Sequence, residues 1–243
     1  MNSLRRKILI TLDFDLTILT KNSDYVFLDL LNKKSFELLE EKRKVSKNWA
    51  NHMQQVYIHL KADNVPLSKI KERVEEIPLN KGFLELFEFM KSKKERFDTL
   101  IISGANTMFL QWFLAKHNVV NLFPKYYSNI AIPDEEVLIR INPFHQHDCT
   151  NCDLSQCKKV LFKLYLSSNN IDINHYSNVL YAGDGENDYC LSTFLRENDM
   201  LFPRIGFPLH EKLFTKGEHK NLKCKIHPWN DGFKILEEVQ KLL

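Results

Sequence analysis

The sequence predicts an α/β fold in which parallel strands end in acidic and small polar residues. Three segments carry this prediction, because residues 8–12, 97–102 and 178–182 are mostly apolar and of strand length. The first run has the β-branched content of a strand that is buried on both faces of a parallel sheet. Helical patterns separate the three runs, and polar residues follow each of them directly.

Composition and charge narrow the class of protein. The chain has 243 residues, 44% of them apolar, which suits a globular fold of one large domain or two small ones. A net charge of +3 gives no case for nucleic-acid binding. The basic residues 1–6 precede an apolar run that Asp13 and Asp15 interrupt, so we expect neither a signal peptide nor a membrane span. We therefore expect a soluble, cytoplasmic protein with no membrane partner.

The first strand ends on two acids, in Asp13-Phe14-Asp15-Leu16-Thr17. In open α/β sheets, ligands bind outside the carboxyl ends of the strands, so both acids would face a ligand crevice. Acids at positions i and i+2 there suggest metal and phosphate chemistry. The spacing alone would favour an ordinary acidic turn, so the remaining motifs decide between the two interpretations.

The segment between the first two strands has a helical pattern. From Tyr25 to about Pro78, apolar residues recur at helical spacing, and no convincing strand interrupts them. A helical insertion directly behind the first strand has the right size for a small cap over a site, and an ordinary helical layer of the core is the alternative. We predict a cap at residues 21–80 and a catalytic core formed by residues 1–20 and 81–243.

The other two strands also end in residues that suit phosphate chemistry. Ser103 follows the second strand at the start of a helix, where its hydroxyl and nearby backbone amides can hold a phosphate. A helix-capping serine is the alternative. The third strand ends in the hexapeptide 183–188, whose two glycines allow a tight turn between Asp184 and Asp188. Lys158 begins a helix and could bring an ammonium group to the same edge.

A segment rich in cysteine and histidine spans residues 145–158. It contains a C-x-x-C pair, Cys149 and Cys152, which has the spacing of half a structural zinc site. A closed site would need Cys157 and one histidine, for which we name His147. A reduced, packed cysteine cluster in a loop is an equal alternative, because an odd number of cysteines without a secretory signal favours thiols or metal ligands over disulfides.

Together these residues predict a phosphoryl-transfer site. Mg²⁺ prefers oxygen ligands and commonly binds carboxylates together with substrate phosphate, a need that Asp13 and Asp184 meet. The carboxylate of Asp13 is ionised at neutral pH and can attack phosphorus, while Asp15 would protonate the leaving oxygen and then activate water. Ser103 and Lys158 would hold the oxygens of the transferred group.

The motifs resemble those of the haloacid dehalogenase superfamily of phosphatases, and they occur in the family's order. The resemblance rests on residues 13–17, Ser103, Lys158 and residues 183–188. It implies a Rossmann-like parallel sheet core with a small helical cap inserted after the first strand. It also implies Mg²⁺ dependence and a small phosphomonoester substrate.

A closer resemblance is to the subgroup that contains phosphoethanolamine/phosphocholine phosphatase and pyridoxal phosphate phosphatase. Residues 22–24, the cysteine segment 143–158, Cys190 and residues 202–204 all look like that subgroup. The similarity therefore extends over nearly the whole chain.

The resemblance assigns a role to each site residue. Asp13 would be nucleophile and metal ligand, Asp15 the acid/base and a metal ligand through its carbonyl oxygen, and Asp184 a metal ligand. Asp188 would act behind them, and Asp24 would contact the substrate.

One residue departs from the subgroup's pattern, since Gly104 stands where a second substrate-facing aspartate is usual. The missing charge disfavours a cationic amine head group and favours pyridoxal 5′-phosphate or a similar small phosphomonoester. Phosphoethanolamine or phosphocholine is the alternative substrate. Two further hypotheses are alternatives to this function. The chain could be a catalytically idle, phosphate-binding regulatory protein, or the cysteine segment could form a zinc-dependent partner surface.

Overall fold

Seven strands form one sheet in the computed structural model, which describes residues 6–46 and 48–243. The strands are β1 (Ile8–Leu12), β2 (Phe97–Asn106), β3 (Tyr126–Asp134), β4 (Leu138–Asn142), β5 (Asn178–Gly183), β6 (Met200–Pro203) and β7 (Lys225–Ile226). Their order across the sheet is β4-β3-β2-β1-β5-β6-β7. All neighbours are parallel except β3 and β4, which are antiparallel.

Helices cover both faces of the sheet and fill the segment between β1 and β2. They are α1 (Lys33–Arg43), α2 (Trp49–Ala62), α3 (Leu67–Glu75), α4 (Phe83–Ser92), α5 (Thr107–Lys116), α6 (Lys158–Ser168), α7 (Tyr189–Ser192), α8 (Pro208–Phe214) and α9 (Gly232–Gln240). No helix in the described ranges is long and apolar enough to cross a membrane.

The central strand β1 is buried along its whole length. Because successive side chains of a strand point to opposite faces, Ile8 and Ile10 pack into one core layer and Leu9 packs into the other. The first layer contains α4, α5 and α9, and the second contains α6. This burial on two faces explains why four of the five residues of β1 are apolar, and the predicted α/β fold with a parallel sheet is confirmed.

The structure corrects the predicted strands in three places. β2 extends beyond residue 102 to Asn106, and an unpredicted antiparallel strand, β4, forms one edge of the sheet. The pattern of residues 200–205 predicts an edge strand limited by Pro203; β6 does end at Pro203, but it is not an edge strand, because β7 pairs with it on its outer side.

The helical segment 21–80, which we call the inserted segment, packs against the β4 edge of the sheet. Its buried residues share one apolar cluster with residues of α5, β3 and β4. The side chain of Gln54 in α2 donates to the carbonyl of Ile139 at 3.1 Å and accepts from the amide of Ile141 at 2.9 Å. Gln54 thus satisfies backbone groups that an edge strand would otherwise leave unpaired.

The inserted segment leaves and re-enters the rest of the chain at one place. Leu19 and Leu79 form an isolated antiparallel bridge there. The side chain of Asn80 donates to the carbonyls of Thr17 at 2.7 Å and Leu19 at 2.9 Å, and its own oxygen accepts from Arg204 at 3.0 Å. The two connections are therefore fastened to each other and to the end of β6.

Part of one prediction lies outside the described residues. The predicted core segment 1–20 includes residues 1–5, which the structure does not describe. Most of the basic stretch 1–6, on which the expected absence of a signal peptide partly depends, lies in the same residues.

Candidate active site

A cavity of about 310 Å³ opens at the carboxyl ends of β1, β2 and β5. Five of the predicted site residues line it: Asp13, Asp15, Asp24, Ser103 and Asp184. The other two predicted residues are buried directly behind this lining, where they contact Asp13 and each other, as described next. The structure therefore brings all seven predicted site residues to one place.

Lys158 joins two carboxylates in the buried wall of the cavity. Its ammonium lies 2.8 Å from Oδ2 of Asp13 and 2.5 Å from Oδ1 of Asp188, and the lysine is only 1% exposed. The other oxygen of Asp13 accepts the amide of Phe14 at 2.7 Å. Lys158 begins α6, so the helix start holds the charge against the end of β1.

Both carboxylate oxygens of Asp188 accept two hydrogen bonds each from neighbouring protein groups. One oxygen accepts from Lys158 and from the hydroxyl of Tyr181, and the other accepts the amides of Asp184 at 3.0 Å and Gly185 at 2.8 Å. A Cβ at Gly183 would lie 2.4 Å from this carboxylate, so the close approach requires glycine. Asp188 therefore shapes the turn that presents Asp184 to the cavity.

Asp15 lies in an irregular turn that follows β1. Its two oxygens accept the amide of Ser23 at 2.9 Å and the hydroxyl of Ser23 at 3.1 Å. The next residue, Leu16, has a left-handed φ of 55°, a conformation that is strained for a branched side chain. Burial and the nearby carboxylate of Asp24 raise the pKa of Asp15 well above its usual value.

The buried carboxyl groups of the cavity outnumber the ammonium of Lys158, and burial disfavours their ionised forms. Burial raises the pKa of Asp13 to about 6 although Lys158 opposes the shift, and burial together with Asp13 and Asp188 raises the pKa of Asp184 to about 9. Burial disfavours the ammonium of Lys158, but the two carboxylates outweigh it and hold its pKa above the ordinary value.

The donor set suits a hard divalent cation. Oxygens of Asp13, Asp184 and Asp188 lie within 4.8 Å of one another. Because four protein donors already occupy Asp188, the carboxylates left for a cation are those of Asp13 and Asp184. Mg²⁺ prefers oxygen ligands and commonly binds through one or two carboxylates, which Asp13 and Asp184 provide.

Ser103 faces the cavity at the end of β2, and it is not the cap of the following helix. Its hydroxyl accepts the amide of Ala105 at 3.1 Å, whereas Asn106 caps α5 by accepting the amides of Met108 and Phe109. The capping alternative for Ser103 is therefore wrong, and its hydroxyl proton is available to a ligand.

The inserted segment supplies the opposite wall of the cavity. Asp24 is 2% exposed, and its Oδ2 accepts from the indole of Trp49 at 2.7 Å. Its Oδ1 is buried and has no partner among the described residues. Burial raises the pKa of Asp24 to about 7, and the Trp49 hydrogen bond only partly offsets it.

Several lining residues were not predicted from the sequence. Helical spacing places Trp49 on the apolar face of a helix, yet it is part of the cavity wall beside Tyr25, with their ring centroids 5.7 Å apart. Asp153 accepts the amide of Trp49 at 3.1 Å, and Gln156 donates to the carbonyl of Ser103 at 2.7 Å. The sequence carried no signal for Asp153 or Gln156, because both lie in an irregular stretch.

The cysteine segment differs from the predicted zinc site in its fourth member. The ring of His147 lies against the carbonyl of Asp153 at 2.9 Å and the amide of Cys149 at 3.2 Å. Instead of His147, the buried Cys190 of α7 joins the group formed by Cys149, Cys152 and Cys157. The ligand set that includes His147 is therefore not assembled.

Curated phosphatases are similar to this chain over nearly its whole length. The probable phosphatase phospho2 of Xenopus tropicalis is 33% identical, and the pyridoxal phosphate phosphatase PHOSPHO2 of Homo sapiens is 31% identical, each covering 98% of this chain and 99% of the relative. The phosphoethanolamine/phosphocholine phosphatase of Homo sapiens is 29% identical over 98% of this chain and 90% of its own length.

Among solved structures, a phosphoserine phosphatase in its apo form aligns with a TM-score of 0.62. It covers 98% of this chain and 100% of its own, at 13% identity, and so establishes the likeness of fold.

Fold and relatives together define a phosphoric monoester hydrolase of the haloacid dehalogenase type. A family model described as "Putative Phosphatase" matches residues 8–243, and the chain belongs to that family. Its subgroup is the one that contains the pyridoxal phosphate and phosphoethanolamine/phosphocholine phosphatases.

Proposed function

We propose that this protein is a Mg²⁺-dependent phosphatase that hydrolyses a small phosphomonoester through a phospho-aspartate at Asp13. The observation that carries the proposal is the buried arrangement of Asp13, Lys158 and Asp188 at the end of the central strand, with Asp184 beside it. A buried lysine held between two carboxylates, next to a third carboxylate, suits the stabilisation of a transferred phosphoryl group.

In this proposal Asp13 attacks phosphorus. Lys158 holds Oδ2 of Asp13 and the amide of Phe14 holds Oδ1, so the carboxylate has a fixed orientation. Lys158 and the hydroxyl of Ser103 then stabilise oxygens of the phosphoryl group. Asp13 and Asp184, with the backbone carbonyl of Asp15, would bind Mg²⁺, which supplies positive charge against the phosphate oxygens.

Asp15 performs the proton transfers. Its raised pKa, which burial and Asp24 cause, allows it to carry a proton at neutral pH and to donate it to the leaving oxygen. The resulting carboxylate then accepts a proton from the water that hydrolyses the acyl phosphate. Ser23 holds both of its oxygens, which keeps the group in place during the two steps.

The inserted segment 21–80 acts as the cap, and residues 1–20 and 81–243 act as the core, in the same proposal. Asp24 and Trp49 place the segment over the cavity. The buried acceptors Asp24 Oδ1 and Gln156 Oε1 have no partner in the described part of the chain, although both residues line the cavity. A substrate that carries hydrogen-bond donors beyond its phosphate would satisfy them.

Pyridoxal 5′-phosphate or a similar ester is the substrate that we favour. Gly104 contributes no charge to the cavity, and the aromatic pair of Tyr25 and Trp49 gives it an apolar wall. Phosphoethanolamine or phosphocholine is the second candidate, because the buried carboxylate of Asp24 suits an ammonium group. A cytoplasmic location completes the proposal, since all five cysteines are free thiols.

The test measures phosphate release from these three esters and from a generic aryl phosphate, each with Mg²⁺ and with EDTA. We expect turnover that depends on Mg²⁺ and that falls by on the order of 10³-fold or more in Asp13→Asn. The exposed Asp29 provides the matched control, since Asp29→Asn removes a carboxylate that faces solvent and pairs with Arg73. Full activity in Asp13→Asn would refute the mechanism. No turnover on any ester would favour the idle, phosphate-binding protein.

A further inference from the structure

Four cysteine sulfurs meet beside the active site, although their residues come from two separate segments. Sγ of Cys149 lies 3.7 Å from those of Cys152 and Cys190, and Sγ of Cys157 lies 3.7 Å from that of Cys190. All four sulfurs lie within 4.8 Å of one another. The fifth cysteine, Cys224, is buried elsewhere and does not belong to the group.

Three of the six separations match the edges of a tetrahedron around one metal ion, and the other three lie within 4.8 Å. Zn–S bonds of about 2.3 Å place the sulfurs of a tetrahedral site about 3.8 Å apart. A disulfide requires about 2.05 Å, so the sulfurs are not arranged as bonded pairs.

We propose that Cys149, Cys152, Cys157 and Cys190 bind one structural Zn²⁺ ion. The ligand type favours this metal, because four soft thiolates in a closed tetrahedron are typical of zinc and exclude Mg²⁺, which prefers oxygen. Each cysteine loses its thiol proton when it binds the metal, so four protons are released to solvent. The site is separate from the carboxylate pair that we assign to Mg²⁺ and does not depend on the proposed phosphatase function.

The position of the cluster gives the zinc a role in the fold. Cys157 directly precedes Lys158, and Cys190 follows Asp188 by two residues. The metal would therefore join the two segments that meet in the Lys158–Asp188 ion pair. We infer that zinc is a positioning element, which fixes the start of α6 against the start of α7 without touching the substrate.

The metal content of the full-length protein tests the site directly. The protein is purified under reducing conditions, without chelator or added metal, and its metals are measured by mass spectrometry. We expect about one Zn²⁺ per chain in the wild type and in Asp13→Asn. Zinc well below stoichiometry in folded protein with reduced thiols would overturn the proposal, as would stoichiometric iron or a disulfide within the cluster.

Single substitutions test the ligand set. Cys190→Ser and Cys152→Ser should each lower the zinc content several-fold, whereas Cys224→Ser, which removes a buried cysteine outside the cluster, should retain it. Zinc that survives in Cys190→Ser, or that is lost equally in Cys224→Ser, would refute this set of ligands.

A spectroscopic measurement keeps the proposal testable if the serine variants fold poorly. Wild-type protein in which Co²⁺ replaces the zinc should show the intense visible absorption of tetrahedral cobalt thiolate. The absence of these bands, with cobalt bound, would place the metal at oxygen or nitrogen ligands and contradict the site.

Discussion

At the scale of single residues, the cavity has open space beside Gly104. A Cβ at this position would meet its nearest atom, Nδ2 of Asn187, at 3.9 Å, which is an ordinary contact. A side chain can therefore be added at Gly104 without a clash. No steric obstacle prevents a carboxylate at this position, so its absence reflects only the residue type.

We expect Gly104→Asp to shift substrate preference toward cationic esters. The new carboxylate would gain about 1–2 kcal/mol of favourable interaction with an ammonium group, which is roughly a tenfold rise in kcat/KM for phosphoethanolamine relative to pyridoxal 5′-phosphate. Gly104→Asn, which has the same shape without the charge, is the matched control. An equal shift in both variants would show that shape, and not charge, sets the preference.

The raised pKa of Asp24 predicts a pH dependence of amine recognition. The carboxyl group is protonated below about pH 7 and charged above it, so kcat/KM for a cationic ester should rise through that pH. Asp15, Tyr25 and Tyr57 also surround the carboxyl, and burial raises the pKa of each of these three groups. Asp24→Asn should remove the rise that is specific to the cationic ester. Because Asp24 also raises the pKa of Asp15, which would act on every substrate, the effect is measured as the ratio of kcat/KM for the cationic ester to kcat/KM for an aryl phosphate.

The same pKa has the opposite effect on stability. The folded protein holds the Asp24 proton up to about pH 7, whereas the unfolded chain releases it near about pH 4. Asp24 therefore makes the free energy of unfolding fall as pH rises through this window. Urea unfolding should find Asp24→Asn more stable relative to wild type at pH 8 than at pH 5, and an equal difference at both pH values would contradict the raised pKa.

At the scale of elements, two glycines allow the starts of α4 and α9 to touch. A Cβ at Gly232 would lie 2.7 Å from the carbonyl carbon of Gly82 and 2.8 Å from the amide nitrogen of Phe83. Both atoms belong to the backbone and cannot move aside as a flexible side chain would. The contact also carries a hydrogen bond of 2.6 Å from the Gly232 amide to the carbonyl of Lys81.

Gly232→Ala should therefore destabilise the protein by about 3 kcal/mol, because the added methyl group overlaps backbone atoms. Urea denaturation followed by circular dichroism measures the loss. Gly206→Ala is the matched control: Gly206 has a φ of 80° but no atom within 4 Å of an added Cβ, so only the strain of about 1 kcal/mol remains. Equal losses in the two variants would mean that the helix contact is looser than described.

The strands that could be predicted from the sequence are those whose own residues are buried on both faces of the sheet. β1, β2 and β5 are covered on both faces, so their sequences are mostly apolar without alternation. β4 was missed because it alternates buried and exposed residues over only part of its five positions, and β7 has just two residues. Such short edge strands depend on the neighbours that pair with them.

The site was predictable for a related reason. Asp13 and Asp184 each follow a strand end, Ser103 lies in the last four residues of β2, and parallel strands bring those ends together. Cys190 was not predicted as a partner of Cys149, because the two sulfurs approach each other only through tertiary packing. Helical periodicity likewise assigns Trp49 to an apolar face, but it cannot distinguish a core from a cavity wall.

At the scale of the whole molecule, the inserted segment and the core share one apolar cluster. Residues of α2 and α3 pack with Met108 and Phe109 of α5 and with Ile139 and Ile141 of β4. Each large apolar side chain buried at this junction contributes about 1.5–3 kcal/mol, so separating the two parts would cost an amount comparable to the stability of an ordinary domain.

We therefore expect the inserted segment and the core to unfold in a single transition. Pulse-labelling hydrogen exchange in graded urea, read by mass spectrometry, should find that peptides from α2 and from β2 lose protection at the same urea concentration. Gln54→Ala, which removes the two hydrogen bonds to β4, should lower both midpoints together. Loss of α2 protection at a lower urea concentration than β2 would demonstrate two independent units.

The bridge between Leu19 and Leu79 has a consequence for how proteins with this architecture can evolve. Because the chain returns to the core where it left, a lineage can lengthen, shorten or exchange everything between these residues without shifting the register of any strand. The constraint on such an exchange comes from the exposed edge that the new segment must cover. Diversification of substrate choice within this architecture would then proceed by pairs of changes, one in the insertion and one along β4 and α5.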